Sequence, residues 1–257
     1  MKFSANLGFL YTDLLLTEAV HAAKADGFEA LECHFPYDTP PVMLKAALQA
    51  TGLRMLALNT WPGDRAAGDF GLAALSDRVD EARKEIARAV QYAAAAGVEA
   101  VHVMAGRTDG GAQADACFRA NLIHACDLAA AQGMSVLIEP INTRDVAGYH
   151  LSGTAHAQRI IDDLARPELK LMFDCYHMQI MQGDLATTLA DLLPWIGHVQ
   201  IAAVPDRAEP DHGEVDYGWL LAHLADLGYQ GFVGAEYRPS GATRDGLGWM
   251  ARFRAAD

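Results

Sequence analysis

The sequence predicts an α/β fold in which eight strand–helix units close into a (β/α)8 barrel. Three observations favour this fold class: eight short apolar runs alternate with longer, Ala-rich amphipathic segments, the repeat is about 32 residues long, and the apolar runs are continuous. A repeat of that length accommodates a βαβ crossover. Continuous apolar strands are typical of parallel sheets that are covered on both faces.

The eight apolar runs are the predicted strands. Each is five to seven residues long and rich in aliphatic side chains, which is ordinary for a buried strand. In chain order they are residues 3–7, 30–35, 54–60, 100–106, 135–141, 169–174, 197–203 and 232–237.

The segments between these strands are predicted helices, and glycine, which favours helix ends, follows several of them. Pro40 and Pro41 open the second helix, and Ser76 is expected to cap the third. The predicted helices are residues 14–26, 42–50, 76–96, 112–132, 155–164, 185–193 and 219–227, with a short helix before 185.

An open, doubly wound parallel sheet is the alternative with similar content. No G-x-G-x-x-G motif follows the first strand, which counts against the dinucleotide-binding version of that fold. No linker or low-complexity tract divides the chain, so residues 1–257 are predicted to form a single domain. Two long connections, 62–71 and 142–153, are expected on the active face of the barrel.

The chain has 20 Lys and Arg against 33 Asp and Glu, a formal net charge of −13. Such a chain repels phosphate backbones and anionic membrane surfaces, so we expect neither nucleic acid nor a membrane as partner. The four cysteines form no C-x-x-C pair, and the N-terminal sequence is typical neither of a signal peptide nor of a membrane span. These features predict free thiols and a cytoplasmic location.

Four residues with oxygen donors lie at corresponding places in the last four strands. Three carboxylates this close would repel one another and raise one another's pKa, a conflict that a divalent cation resolves. All-oxygen ligands favour Mg²⁺ or Mn²⁺ over Zn²⁺. The alternative is that each residue makes a separate salt bridge or hydrogen bond at the rim of the barrel. The four residues are Glu139, Asp174, Gln200 and Glu236.

Further polar residues near the same rim are candidates for substrate contact. His102 and His177 are expected to point toward it, and Glu32 is another carboxylate at a strand end. Arg207 is suited to bind a substrate carboxylate, with a solvated loop charge as the alternative. His198 is expected only to support Gln200.

Several longer motifs resemble the hydroxypyruvate isomerase family, which includes 2-oxo-tetronate isomerases and belongs to the xylose-isomerase-like TIM barrels. The resemblance extends from Phe3 to Trp249. The motifs that carry it are FSANL (3–7), FPYD (35–38), LIEPIN (137–142), FDCYHMQIMQGDL (173–185), GHVQIA (197–202), AEYRP (235–239) and GLGW (246–249).

The resemblance implies one divalent cation, held by the four oxygen-donor residues above, and implies that Glu139 and Glu236 are the catalytic acid and base. Related ketose epimerases suggest that His177 and Arg207 contact the substrate, with His102 and Glu32 nearby. The chain departs from its relatives at Ala203, Asp206 and Arg65, and these positions bear on substrate identity.

The function that follows is a keto–aldo isomerase that converts a small 2-oxo-3-hydroxy acid through an enediolate. Hydroxypyruvate, which would give tartronate semialdehyde, is the first expectation, and a 2-oxo-tetronate is the close alternative. A ketose 3-epimerase on the same barrel, an endonuclease acting on damaged DNA and a non-catalytic binding protein are further alternatives. The oligomeric state stays open, with a homodimer as one alternative.

Overall fold

The computed structural model describes residues 1–254, and its eight strands form a closed parallel barrel in chain order. Strand β1 pairs with both β2 and β8, which closes the sheet and confirms the predicted (β/α)8 class. The strands are β1 Lys2–Asn6, β2 Ala30–Cys33, β3 Arg54–Asn59, β4 Val98–His102, β5 Ser135–Ile138, β6 Leu169–Asp174, β7 Ile196–Ile201 and β8 Phe232–Ala235.

Helices follow the strands and cover the outside of the barrel. Gly52 and Gly97 end two of them with φ of 68° and 81°, a left-handed conformation that glycine adopts without steric cost. Within residues 1–254 the helices are α1 Leu16–Ala25, α2 Pro41–Thr51, α3 Val79–Ala96, α4 Ala112–Ala130, α5 Thr154–Leu164, α6 Cys175–Met181, α7 Leu185–Leu192, α8 Tyr217–Asp226 and α9 Gly248–Arg254.

The start of α3 differs from the prediction. Arg78, not Ser76, precedes the first helical residue, and it makes no capping hydrogen bond through its side chain. The backbone N–H of Arg78 donates to the carbonyl of Leu75 at 3.1 Å, so a tight turn occupies the place where the sequence predicts the first helical turn.

The interior of the barrel changes from apolar to polar along the strands. A small separate cluster of buried side chains consists of Ala57, Ala100, Leu137 and Met172. Each of these four residues is followed, two positions later and on the same face of its strand, by a polar residue. These polar residues are Asn59, His102, Glu139 and Asp174. The apolar cluster therefore forms a floor, and the polar residues above it face the carboxyl-terminal end of the barrel.

The last helix secures the chain to the first strand. The ring of Trp249 packs edge-on against Phe3 with ring centroids 5.0 Å apart, and its indole N–H donates to the hydroxyl of Tyr237 at 3.2 Å. Residues 1–254 contain no helix long and apolar enough to cross a membrane. The expectation that 1–257 is a single domain stays a prediction, because residues 255–257 lie outside the described range.

Gly234 of β8 supplies a test of the packed interior. A Cβ at this position would collide with the carboxylate of Glu32, and it would lie 2.8 Å from Nε2 of His198. Because both neighbours are buried and cannot move away freely, we expect Gly234→Ala to lower the free energy of unfolding by about 1–3 kcal/mol, as measured by urea denaturation.

Gly241→Ala is the matched control, since a Cβ there would meet nothing within 4 Å. Equal unfolding midpoints for both variants and the parent protein would contradict the packing described for Gly234.

Candidate active site

A cavity of about 380 Å³ opens at the carboxyl-terminal end of the barrel. This is the end at which enzymes of this architecture carry their active sites. Five of the residues singled out from the sequence line it: Glu139, Glu236, His102, His177 and Arg207. Asp174 and Gln200 lie behind this lining, fully buried, and are paired in register on β6 and β7.

Four side chains converge at the floor of the cavity. One ligand atom from each of Glu139, Asp174, His177 and Glu236 lies within 4.8 Å of the other three. Gln200 joins them through its register with Asp174. The strand ends thus bring the oxygen-donor residues together.

Burial and repulsion shape the pKa values of these carboxyl groups. Burial, followed by the charges of Glu236 and Asp174, raises the pKa of Glu139 well above its ordinary value. Burial also raises the pKa of Asp174 to about 8, although Arg207 opposes the rise. Glu236 behaves differently: burial would raise its pKa, but Arg207 and a hydrogen bond with His34 outweigh burial and lower it.

The donor atoms at this floor fit a divalent cation. Oε1 of Glu139, Oδ2 of Asp174 and Oε1 of Gln200 are buried and have no hydrogen-bond partner among the described residues. Buried polar atoms without partners are costly in free energy. A hard cation with oxygen ligands would satisfy all three atoms at once.

Glu236 is held by groups that the sequence analysis missed. The side-chain amide of Asn6 donates to Oε1 of Glu236 at 2.9 Å, and Nε2 of His34 lies 2.9 Å from the same oxygen. Asn6 ends β1 and His34 directly follows β2, so both are polar residues at strand ends. A polar residue at a strand end is the same sequence signal that identified the four oxygen-donor residues, so it could also have identified Asn6 and His34.

Arg207 lies against the carboxylates rather than in a solvated loop. A guanidinium nitrogen is 2.7 Å from Oε2 of Glu236 and 3.6 Å from Oδ2 of Asp174. The guanidinium lies 4.9 Å from the ring centroids of both Phe9 and Tyr176, so it is held between two aromatic faces. Its backbone has φ of 57°, a sparsely populated conformation for a residue with a side chain.

His177 presents an N–H group to the site, and Asn142 determines which ring nitrogen carries the hydrogen. The backbone N–H of Asn142 donates to Nδ1 of His177 at 3.3 Å, and its side-chain amide nitrogen is 2.6 Å from the same atom. The amide orientation is fixed because the N–H of Asp145 donates to Oδ1 of Asn142 at 2.8 Å. Nδ1 is therefore an acceptor, and Nε2 carries the hydrogen.

This tautomer makes His177 a donor rather than a metal ligand. Its Nε2 is 3.5 Å from Oδ2 of Asp174 and 3.6 Å from Oε1 of Glu139. Burial, followed by the charge of Arg207, lowers the pKa of His177 well below its ordinary value, so the imidazole is neutral at neutral pH.

His102 is a second neutral imidazole at the cavity wall. Its Nδ1 lies 3.3 Å from Oδ1 of Asn59 and 3.6 Å from Oε2 of Glu139, while Nε2 has no hydrogen-bond partner among the described residues. Burial lowers the pKa of His102 to about 4.

Glu32 does not lie where a substrate contact was expected. It is buried and is absent from the cavity lining that residues 1–254 provide. Its Oε2 accepts a hydrogen bond from Nε2 of Gln200 at 2.8 Å, and its Oε1 is 3.1 Å from Nε2 of His198. Since the Gln200 amide nitrogen donates to Glu32, its amide oxygen is left without a partner among the described residues, and Glu32 acts as a support for Gln200.

Comparison with known proteins agrees with this architecture. Residues 20–253 match the model of the family described as xylose isomerase-like TIM barrel, and the chain belongs to that family. A 2-oxo-tetronate isomerase from Cupriavidus necator is 46% identical over 255 residues, which are 98% of this chain and 98% of the relative. Hydroxypyruvate isomerase from Escherichia coli (strain K12) is 38% identical over 257 residues, which are 99% of this chain and 100% of the relative.

A solved structure described as an AP endonuclease of family 2 from Brucella melitensis has a TM-score of 0.94 and 38% identity, and covers 98% of each chain. The curated relatives above are isomerases, which confirms both the resemblance drawn from the motifs and the prediction of an aldose–ketose type isomerase.

The tautomer of His177 can be measured directly. We expect long-range ¹H–¹⁵N NMR spectra of the metal-free protein to show this ring neutral, with hydrogen on Nε2, between about pH 6 and pH 8. A group whose pKa is lowered stays neutral as the pH falls through the ordinary histidine range. The signal is assigned by its loss in His177→Gln, and Asn142→Ala should keep the tautomer because the backbone N–H remains. An imidazolium, or hydrogen on Nδ1, would contradict the hydrogen bonding described.

Proposed function

We propose that the protein is a metal-assisted keto–aldo isomerase of a small 2-oxo-3-hydroxy acid, with hydroxypyruvate as the first candidate substrate and tartronate semialdehyde as its product. The observation that carries this proposal is the pair Glu139 and Glu236, which lie at one cavity floor beside buried oxygen atoms without partners. Removing a proton next to a carbonyl requires both a base and stabilisation of the charge that develops.

The cation would be held by Glu139, Asp174, Gln200 and Glu236. Their oxygen atoms suit Mg²⁺ or Mn²⁺ better than Zn²⁺. When bound, the cation supplies electrostatic stabilisation of the negative charge that develops on the substrate oxygens.

The two glutamates have the roles of base and acid. One accepts a proton from the hydroxyl-bearing carbon, and the other returns a proton to the neighbouring carbon that was the carbonyl. The hydroxyl hydrogen passes from the oxygen of the first carbon to the oxygen of the second, which turns the first carbon into the aldehyde. The Nε2–H of His177 donates a hydrogen bond to a substrate oxygen, and Arg207 contributes positive charge beside Glu236.

An acid is the favoured substrate class because the cavity is lined by arginines that have no carboxylate partner in the described range, in a chain of net charge −13. Arg65, Arg107 and Arg238 line it, and no carboxylate in residues 1–254 forms an ion pair with any of them. An arginine without a carboxylate partner is available to bind a substrate carboxylate in a bidentate manner.

A 2-oxo-tetronate is the second candidate substrate. The 46% identity to the Cupriavidus necator 2-oxo-tetronate isomerase favours it, and the proposed chemistry is unchanged. A ketose 3-epimerase would instead act on one carbon of a neutral sugar, for which three cavity arginines have no evident use. An endonuclease requires a basic surface, which a net charge of −13 opposes.

The remaining expectations follow from the same observations. We propose a small molecule as the partner and a reducing cytoplasm as the location, supported by four free cysteines. The oligomeric state, including a homodimer, stays open.

The product assay tests the proposal. We expect the Mg²⁺- or Mn²⁺-loaded protein to isomerise hydroxypyruvate or a 2-oxo-tetronate, with deuterium from D₂O entering the product, as followed by NMR. A ketohexose serves as the comparison substrate. A chelator should abolish turnover, and added Mn²⁺ should restore it. Turnover unaffected by the chelator, or epimerisation of the ketohexose alone, would contradict the proposal.

The two glutamates are tested by isosteric substitution. We expect Glu139→Gln and Glu236→Gln each to lower kcat by about 10²–10⁴-fold, because an amide cannot carry the proton. Glu214→Gln, at an exposed position, is the control and should keep the parent rate. Circular dichroism establishes that the variants fold, and near-normal turnover of a folded Glu236→Gln would remove that residue from the mechanism.

A further inference from the structure

A second cluster of metal-ligating side chains lies away from the cavity. Asp115 is in the first turn of α4, His150 is near the end of the connection from β5 to α5, and His156 is in α5. One ligand atom from each lies within 4.8 Å of the other two. None of the three lines the active-site cavity that residues 1–254 form.

The three ligand atoms lie close together around one point. Oδ1 of Asp115 is hydrogen-bonded to Nε2 of His156 at 2.7 Å and lies 3.9 Å from Nε2 of His150. The His150 side chain is only 3% exposed, and its Nε2 has no hydrogen-bond partner among the described residues. This buried imidazole nitrogen is too far from the Asp115 carboxylate to form a hydrogen bond and is therefore unsatisfied. An ion between the three groups would satisfy it and would replace the hydrogen bond between Asp115 and His156.

The surrounding groups orient the ligands without occupying these atoms. Nδ1 of His150 lies 3.1 Å from Oγ1 of Thr108, so the other ring nitrogen is directed into the cluster. Nε of Arg119 donates to Oδ2 of Asp115 at 2.6 Å, which leaves Oδ1 facing the two imidazoles. Hydrogen bonds of this kind from outer groups are usual around protein metal ligands.

We infer that Asp115, His150 and His156 form a second metal site, for a divalent transition ion of the Zn²⁺ or Co²⁺ class. Two imidazoles and one carboxylate are a ligand set that Zn²⁺ commonly has, whereas Mg²⁺ favours oxygen ligands. The Asp115 and His156 side chains are 29% and 25% exposed, which gives the ion an entry path and leaves room for a water as the fourth ligand.

An ion at this site would join three parts of the chain. It would connect α4 and α5 to the β5–α5 connection, which also carries Asn142 and Asp145 beside His177. The three residues do not line the cavity, so the existence of this site does not depend on the proposed isomerase activity.

Visible absorption of Co²⁺ tests the inference. The protein is first saturated with Mg²⁺, which occupies the oxygen-rich site, and Co²⁺ is then titrated in. We expect the intense visible bands of four-coordinate Co²⁺ to saturate at one equivalent and to be bleached by Zn²⁺. His156→Gln and Asp115→Asn should lose these bands. Zn²⁺ should raise the Tm of the parent protein and leave the Tm of these variants unchanged.

His21→Gln is the matched control, because His21 is an exposed histidine of α1 outside the cluster. It should retain the bands of the parent. Absence of the bands in the parent, or their persistence in both cluster variants, would overturn the inference. Isomerase turnover with Mg²⁺ should be unchanged in His156→Gln, so failure of the second site and failure of the proposed function are separate outcomes.

Discussion

The concentration of negative charge inside an apolar barrel is the constraint on which the rest of the structure depends. Glu139, Asp174 and Glu236 are all buried, and each would be unstable as an isolated charge. Arg207 offsets part of this charge, and a bound cation would offset more. The support of Gln200 by Glu32 and the placement of β6, β7 and β8 serve to keep these oxygen atoms directed at one point.

Much of this arrangement could be predicted from the sequence, because side chains along a strand point to the same face at every second residue. Leu137 precedes Glu139 and Met172 precedes Asp174 on one inward face, so apolar and polar layers can be located without coordinates. Helix ends were less accurate, as at Ser76, because a turn competes with the first hydrogen bonds of a helix.

Contacts between distant segments could not be predicted in this way. His34 and Asn6 meet Glu236 across more than 200 residues of chain, and nothing in their local sequence indicates that partner. The position of Glu32 below the cavity rather than in its wall depends on where its strand ends relative to its neighbours. The tautomer of His177 could not be predicted either, because it depends on Asn142, a residue 35 positions earlier in the chain.

The apolar floor of the barrel limits how small molecules can reach the cavity. It consists of Ala57, Ala100, Leu137 and Met172. These side chains are packed and buried, so they separate the amino-terminal end of the barrel from the cavity. A reactant and its product would therefore enter and leave through the cavity mouth at the carboxyl-terminal end. The arginines around that mouth would thus be the first groups that the proposed anionic substrate meets and the last that its product leaves.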